Sequence, residues 1–594
     1  MNKQGNKTKQ NLSRRIKRKW NGVVGNKKSS SSYILSSTMT SSTTQAASSC
    51  SSERKIKPNY SNTFDSGKDN YFVFINFSIL KELIAKTACN NCFQPLLLTD
   101  VDSSRKGFAH LFQLKCEHCD YVKRFNSSNK SINAKFDAVT ANSPYDVNIR
   151  AIIAFREVGC GYGAIKTFSS CMNLKCISEN GFQKLNKTIM VAYKSASEKS
   201  MLLATKDSKK VDIAQDIPCV RVSIDGTWQK RGHNSLHGVV TAISGDKCID
   251  IEVLSKYCMG CKMWNSKKGT PEYQCWIIDH QCEINHKSSS GSMESAGAVT
   301  IFNRSVKKNN LIYKEFLGDG DTSSFKDVKN SNPYQDFDIT PIKLECVGHV
   351  QKRLGTRLRN LVKAHKGTKT PLSGRGNLTE KCINSMQNYY GMAIRQNVNN
   401  LYAMKKAVYA ILFHFTNFEN QQMQHQFCPR GLASWCKYWA LNNTNYKSKS
   451  CIPIWIKNLI LPIIKDLQAD DLLIKCLHGT TQNANEALNS IIWSRVPKHT
   501  FVSKSTIEMG TYSAVLHYND GANGVLEVLK YFGLSGIVTL ASSSKVDKTR
   551  IRHMKSKSTD KSKMQRKKIR AVKKGFIDDQ QIKETTDSYI SGGF

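Results

Sequence analysis

The sequence lacks any apolar stretch of the length that a membrane span requires. None of its 594 residues lies in a window that approaches the roughly 18 apolar side chains of a spanning helix. The N-terminal residues are rich in Lys, Arg and Ser and contain no apolar core of signal-peptide length. We therefore expect neither secretion nor insertion into a membrane.

Acidic residues are scarce for a chain of this size, and the cysteines fall short of the density of a disulfide-rich protein. Only 46 Asp and Glu oppose 88 Lys and Arg, which leaves a formal net charge of +42. An excess of this size predicts a polyanionic partner, and nucleic acid is the default expectation. Twenty cysteines are too dilute for a disulfide scaffold, and several form Cys-x2-Cys pairs typical of zinc sites in a reducing compartment. We expect a zinc-containing nuclear protein.

The two ends of the chain have the composition of solvated segments. Residues 1–65 combine basic residues with a Ser/Thr-rich run and cannot bury enough apolar area to offset their chain entropy. Residues 540–594 contain fourteen Lys and Arg between positions 545 and 574. We predict a disordered arm and a basic tail that serve in nuclear targeting or phosphate contact, with solubility alone as the alternative.

Two segments with different patterns precede the middle of the chain. Residues 70–136 alternate short apolar runs with cysteine pairs, which predicts strands around a metal ion. Residues 144–206 have the apolar spacing of three helices with a glycine-bearing break near position 160. That pattern fits either a DNA-binding helix-turn-helix unit or a small helical linker domain.

The middle of the chain predicts an α+β domain. Apolar residues alternate with period two over 218–228, 235–244 and 247–257, and a helix over 292–308 precedes strands at 311–319 and 341–346. Three antiparallel strands, a helix and further strands are the element order of the RNase H fold. We predict the first part of an RNase H-like core over 216–350, a helical insertion over 351–475 and the final core helices over 476–535.

Acidic residues stand at the ends of two of these strands. Asp225 ends one apolar strand and Asp319 another, Asp321 follows closely, and Glu486 lies at the start of a helix. A single acid at a strand end is usually a cap or a turn residue. A set of acids in this order can hold the two metal ions that phosphoryl transfer uses.

A Cys-x2-His step marks the junction between the last strand and a basic helix. Cys346 and His349 provide two metal ligands only, so a structural role at this junction is an equal reading. The helix that follows carries a basic face that either binds DNA or is merely solvated, formed by Lys352, Arg353, Arg357 and Arg359.

Two groups of residues have zinc-ligand spacing. The first is a zinc ribbon of two Cys-x2-Cys knuckles, with Cys89, Cys92, Cys116 and Cys119 as ligands. The second is a knuckle set into the core, with Cys258, Cys261, Cys282 and His286 as ligands and with Cys275 and His280 as competitors. Further along the chain, His414, His425 and Cys428 can form another metal site, although we favour buried polar residues of the core.

Several ordered strings carry a family resemblance that spans roughly residues 85–500. They are SIDGTWQKRGHNSLHGVV, NHKSSSGSMESAGAVTIFNRS, LGDGDTSSF, KLECVGHVQKRLGTRLR, MQNYYGMAIR and GTTQNANEALNSIIW. The strings resemble the Mutator-like transposase domain of eukaryotic cut-and-paste DNA transposons. The resemblance implies a DDE catalytic domain of RNase H fold with a long helical insertion before the glutamate.

Residue by residue, the resemblance assigns the first acid to Asp225 and the glutamate to Glu486. The second acid falls on Asp319 with Asp321 as its rival, and the Cys-x2-His signature falls on Cys346 and His349. The resemblance also implies Mg²⁺ or Mn²⁺ at these acids, double-stranded DNA as the partner and a homo-oligomer that cuts two transposon ends. The alternatives are a catalytically silent DNA-binding regulator and a host nuclease that joins no strands.

Overall fold

The computed structural model describes residues 71–132, 138–230, 234–319, 323–374, 376–431, 434–440, 452–534 and 536–558. These residues form an α+β structure with one three-stranded sheet and one six-stranded mixed sheet. The predicted arm over 1–65 and most of the predicted basic tail lie outside the described residues. Among the described helices, none has both the length and the apolar character that would take it across a membrane.

The small sheet lies near the start of the described chain and has a minimal core. Its elements are helix α1 (Phe77–Ala85) and strands β1 (Leu96–Asp100), β2 (Leu111–Cys116) and β3 (Val122–Asn126). The strands are antiparallel in the order β1-β2-β3. The buried cluster consists of Cys89, Leu96 and Cys116, and Leu98 of β1 is buried as well. Two of these four residues are predicted metal ligands, so we expect the stability of this sheet to depend on what the cysteines bind.

Three helices follow, as the apolar spacing of residues 144–206 predicts. They are α2 (Asp146–Glu157), α3 (Tyr162–Cys171) and α4 (Glu179–Lys206). Ser178 caps the start of helix α4, since its side chain accepts a hydrogen bond from the amide of Gly181. The helices share an apolar core with residues near the C-terminal end of the described chain, including Met509 and Phe532.

The six-stranded sheet consists of β4 (Lys210–Ala214), β5 (Ile217–Trp228), β6 (His237–Ser244), β7 (Lys247–Ser255), β8 (Ile312–Gly318) and β9 (Ile342–Glu345). The strand order is β7-β6-β5-β8-β9, with β4 pairing beside β5. Strand β6 is antiparallel to both β5 and β7, whereas β8 and β9 run parallel to β5. The carboxyl ends of β5, β8 and β9 therefore meet at one edge of the sheet.

Within the described residues, the connections between these strands contain five α-helices. Between β7 and β8 they are α5 (Met259–Met263), α6 (Pro271–Asp279), α7 (Met293–Asn303) and α8 (Ser305–Asn309), and after β8 comes α9 (Ser323–Asn330). Helix α7 covers one face of the sheet, where Phe302 packs with Val222 and Ile224 of β5.

A helical region with its own apolar core follows β9, where the sequence predicts the insertion. Val350, Met386, Ile411 and Ile460 contribute to this core from four different helices. The helices are α10 (Val347–Ala364), α11 (Glu380–Gln396), α12 (Leu401–His414), α13 (Gln421–His425), α14 (Lys437–Ala440), α15 (Ile454–Leu467) and α16 (Asp470–Leu473).

The last helices return to the six-stranded sheet. They are α17 (Asn483–Arg495), α18 (Lys504–Asp520), α19 (Gly524–Lys530) and α20 (Ile537–Ser558). Leu488 of α17 and Val515 of α18 pack on Val239 and Ile243 of β6, on the face opposite α7. Helix α20 occupies the beginning of the segment predicted as a basic tail. Its Asp547 is buried and accepts hydrogen bonds from the amide of Ala522.

Candidate active site and metal centres

Asp225 lies near the carboxyl end of the central strand β5 and is surrounded by other acids. The side-chain amide of Asn489 donates a 2.7 Å hydrogen bond to Asp225 Oδ2. Burial raises the pKa of the Asp225 carboxyl to about 7. The negative charges of Glu294, Glu486 and Asp319 contribute to this rise, while the hydrogen bond from Asn489 opposes it. Four carboxylates therefore influence one another at this edge of the sheet.

A second buried acid of the same sheet has a different environment. Asp250 of β7 is fully buried, and Arg304 Nη2 and Lys308 Nζ lie 2.9 and 2.6 Å from its Oδ1. In the described part of the chain, Asp225 has no such salt bridge. Because like charges repel in a partly buried site, the acids around Asp225 favour the binding of a cation.

Glu294 is the acid that the sequence did not single out. It lies in the first turn of α7. Of the three acids whose charges raise the pKa of Asp225, Glu294 has the largest effect. Gly226 permits this approach, because a Cβ at that position would lie 2.7 Å from Glu294 Oε2. The only sequence signal for Glu294 was its position within one of the family strings.

Helix α17 is attached to β5 by side-chain amides. Gln482 Nε2 donates a 2.8 Å hydrogen bond to the carbonyl of Ile224, and Asn485 Nδ2 donates a 3.1 Å bond to that of Ser223. Both amides are buried. The contacts fix the start of the helix against the strand that carries Asp225.

Glu486 and Asn489 lie close to these anchors on the same helix. Residues three and four apart in a helix are neighbours on one side, so Asn489 continues the row that begins at Gln482 and Asn485. Glu486 is exposed to solvent, and its charge acts on Asp225. The structure thus brings the predicted glutamate and the predicted first acid to one site.

Asp319 directly follows β8 and contacts the first turn of α10. His349 Nδ1 and Asp319 Oδ1 form a hydrogen-bonded ion pair when the histidine is protonated. Asp321, its sequence rival, lies outside the described residues. Asp319 is therefore the second acid that the described structure brings toward Asp225.

The two residues of the Cys-x2-His step make different contacts. The amide of Cys346 donates to the carbonyl of Gly318, and its buried thiol accepts a 3.4 Å bond from the amide of Gln482. His349 points instead to Asp319. Within the described chain, neither residue belongs to a group of metal-ligand side chains. Cys346 joins the ends of two strands to the start of α17.

A cavity of about 410 Å³ opens beside Asp319, and its wall is basic. Lys352 is exposed along it, while Arg359 lies outside it. The lining residues are Asp319, His349, Lys352, Arg353, Thr356 and Arg357.

Three of the four basic residues that the sequence predicts to contact DNA pair with acids of this chain. Because α10 directly follows β9 and packs on α11 and α15, its long side chains reach the carboxylates of those elements. These pairs reduce the positive charge that the helix offers to a phosphate backbone, and Lys352 stays the most accessible cation of the set. The pairs are Arg353 with Glu345, Arg357 with Asp466 and Arg359 with Glu380.

The first predicted zinc group converges in the structure. All four sulfurs lie within 4.8 Å of one another, with Cys89 and Cys119 Sγ 3.6 Å apart and Cys92 and Cys116 Sγ 3.4 Å apart. Tetrahedral zinc with bonds of about 2.3 Å places sulfur ligands about 3.8 Å from each other. The group can therefore hold a metal ion such as zinc.

The second predicted zinc group also converges, but its histidine is His280. From the sequence we assigned His286 to this place and treated His280 as a competitor, so that assignment was wrong. His280 Nε2 lies 3.4 Å from Cys258 Sγ and 3.2 Å from Cys261 Sγ, and Cys282 completes the group. His286 is turned away, since its Nε2 lies 2.9 Å from the carbonyl of Ser289. His280 takes this place because helix α6 ends at Asp279, and the next residue lies beside the cysteine pair. By residue 286 the backbone already pairs with the end of β7.

Zinc content distinguishes the two histidines. We expect His280→Ala to lower the zinc content of the purified protein by one equivalent per chain, because it removes one of four ligands. His286→Ala serves as the matched control and is expected to keep the wild-type content, measured by inductively coupled plasma mass spectrometry. The opposite pattern would assign the ligand to His286.

Comparison with known proteins gives one result at the level of family. The family model described as Mutator-like transposase matches residues 72–436, a range that includes Asp225, Asp319 and the Cys-x2-His step and ends before Glu486. No curated protein matches the chain. Because the matched range covers well over half of the 594 residues, the chain belongs to the Mutator-like transposase family.

Proposed function

We propose that this protein cuts DNA at transposon ends and joins the freed 3'-hydroxyl to target DNA. The observation that carries the proposal is the convergence of Glu294, Glu486 and Asp319 on Asp225, at one edge of the sheet and in a chain of net charge +42. Transposase family membership implies DNA as the substrate and a nuclease or transferase reaction. We place that reaction at Asp225 and the three acids around it.

The proposal includes an RNase H-like catalytic core and a zinc ribbon. The strand order β7-β6-β5-β8-β9, with three antiparallel strands followed by two parallel ones, supports the first. Two Cys-x2-Cys pairs beside antiparallel strands support the second. We assign the helical region after β9 to the insertion that the family resemblance implies.

The donor set at the catalytic site suits a hard divalent cation. Carboxylate oxygens are the ligands that Mg²⁺ and Mn²⁺ prefer, and Asp225, Asp319 and Glu486 would hold these ions. When bound, such ions activate the attacking oxygen and stabilise the charge of the leaving oxygen. Glu294 is placed to contribute a fourth carboxylate.

The protein's own side chains orient these acids and attract the substrate. Asn489 holds one oxygen of Asp225, and His349 holds one oxygen of Asp319. Hydrogen bonds of this kind, made to the ligands of a metal, typically change affinity or activity by about 10- to 100-fold when they are removed. Lys352 offers its charge to the phosphate backbone beside Asp319.

We further propose a nuclear protein that acts on double-stranded DNA as a homo-oligomer. The basic excess supports contact with DNA, and two transposon ends must be held for one excision event. The predicted basic tail is the candidate targeting segment, and most of it lies outside the described residues.

Labelled DNA that carries the genomic sequences flanking the coding region tests this function. With Mg²⁺ or Mn²⁺ the wild-type protein is expected to cut the ends and to join them to a target plasmid, and with EDTA to do neither. Binding without cutting would favour a silent regulator. Cutting without joined product would favour a nuclease.

The raised pKa of Asp225 predicts that cation binding depends on pH. Without metal, a carboxyl whose pKa rises to about 7 on folding destabilises the native state progressively as pH increases from about 4 to 7. A divalent cation competes with the proton, so Mn²⁺ should raise the melting temperature more at pH 8 than at pH 6. Asp225→Asn is expected to remove this difference, and an equal Mn²⁺ effect at both pH values would contradict the prediction.

A further inference from the structure

A third group of metal-ligand side chains lies in the helical region, away from the catalytic acids. One histidine ends α12 and another ends α13. One cysteine lies three residues after the end of α13, and the other directly precedes α14. All four residues are buried, and their ligand atoms lie within 4.8 Å of one another. We name this group the His2Cys2 cluster, which consists of His414, His425, Cys428 and Cys436.

The distances in the His2Cys2 cluster match those between zinc ligands. Cys428 Sγ lies 3.5 Å from His414 Nδ1 and 3.9 Å from His425 Nδ1, and Cys436 Sγ lies 3.4 Å from His425 Nδ1. Tetrahedral zinc with Zn–S bonds of about 2.3 Å and Zn–N bonds of about 2.05 Å places S and N ligands about 3.6 Å apart. We propose that the His2Cys2 cluster binds a structural zinc ion.

Hydrogen bonds between thiols and imidazoles explain the cluster less well. A thiol has one proton to donate, yet Cys428 Sγ lies near a nitrogen of both histidines. His425 is fully buried, and among the described residues its Nε2 has no hydrogen-bond partner. Its Nδ1 faces the two sulfurs, so the polar stabilisation of this ring depends on the cluster. A common cation satisfies both sulfurs and both nitrogens at once.

The surrounding segment has little secondary structure of its own to hold it in place. Between the end of α12 and residue 440, the described chain contains only α13 and α14, with five and four residues. Helices this short are not stable alone. Aromatic side chains pack around the cluster: Tyr438 stacks on His425 with ring centroids 4.6 Å apart, and Trp435 lies edge-on to His414 at 5.0 Å.

The donor set assigns the zinc a structural role. Two cysteines and two histidines complete a tetrahedral shell and leave no position for water or substrate, in contrast to catalytic zinc sites. The ion would tie the segment between α12 and α14 to the end of α12. This role is independent of the proposed function, because the cluster contains none of the catalytic acids.

The test is the zinc content of the full-length protein. Wild type is expected to contain three zinc ions per chain, one for each of the three groups in the described residues. Cys436→Ser is expected to contain two. Cys476→Ser is the matched control, since Cys476 is equally buried, lies in the same helical region and belongs to none of the groups. It is expected to keep all three.

Two results would overturn the proposal. The first is an unchanged zinc content in a folded Cys436→Ser variant, with folding checked by circular dichroism. The second is a zinc content of two equivalents or fewer in the wild-type protein, and this measurement decides the question even if the variant does not fold. Cys436→His provides a further check, since it keeps a ligand at this position and is expected to restore the third ion.

Discussion

Asp225→Ala is expected to reduce DNA cleavage and strand transfer by on the order of 1,000-fold or more. Asp225 lies at the centre of the four acids, and its loss would remove a ligand from the proposed cations. Metal ions contribute several kcal/mol to charge stabilisation in the transition state, and each 1.36 kcal/mol corresponds to tenfold in rate. The measurement is the initial rate of nicking on end-labelled DNA with Mg²⁺.

The control for this prediction separates catalysis from folding and binding. Asp336→Asn changes an exposed acid that is not one of the four at the site, and its cleavage rate should equal that of wild type. Asp225→Ala itself should still bind DNA, because the basic side chains carry that interaction. A variant that binds DNA and cuts it within about threefold of the wild-type rate would remove Asp225 from the mechanism.

Cys92→Ser is expected to unfold the three-stranded sheet while the rest of the protein stays folded. The buried cluster of this sheet consists of two cysteines and Leu96, and Leu98 of β1 is buried as well, so little apolar area would compensate for the loss of a bound metal ion. Structural zinc contributes about 10 kcal/mol or more to the folding of small zinc domains. Hydrogen exchange should show residues 89–126 exchanging like an unfolded chain, while β5 keeps its protection.

An exposed cysteine provides the matched variant for this second prediction. Cys171 ends α3 and belongs to none of the three groups, so Cys171→Ser should leave exchange in residues 89–126 unchanged. If Cys92→Ser kept the wild-type protection of β1, β2 and β3, the sheet would not depend on a bound metal ion for its stability.

The strands of the central sheet were predictable because their pattern is local. Period-two apolar runs predicted strands over 218–228 and 247–257, where the structure has Ile217–Trp228 and Lys247–Ser255. Strand β4, over Lys210–Ala214, was not predicted. It is exposed along most of its length and has no buried face to generate a pattern.

Three of the four acids of the candidate site were predictable from their sequence context. Asp225 and Asp319 follow apolar runs, and Glu486 follows them in the order that the RNase H fold implies. Glu294 lies in the first turn of a helix, as Glu486 does, but no such order marks it, and it becomes notable only because Gly226 lets it approach β5.

Ligand choice and ion pairing depend on tertiary geometry, which spacing does not contain. Both His280 and His286 suited the second zinc group by spacing, and the end of α6 decides between them. Cys436 lies eight residues beyond Cys428 and has no knuckle spacing to reveal it. The acids that neutralise Arg357 and Arg359 come from other helices, 109 and 21 residues away in the sequence.

Counting bound Mn²⁺ by electron paramagnetic resonance tests the central claim that these acids form a cation site. At pH 8 the wild-type protein is expected to bind Mn²⁺, and Asp225→Asn and Glu486→Gln are expected to bind it at least about tenfold more weakly. Asp471→Asn, at an exposed acid of α16, should bind it as wild type does. Equal Mn²⁺ binding by wild type and Asp225→Asn would contradict the account.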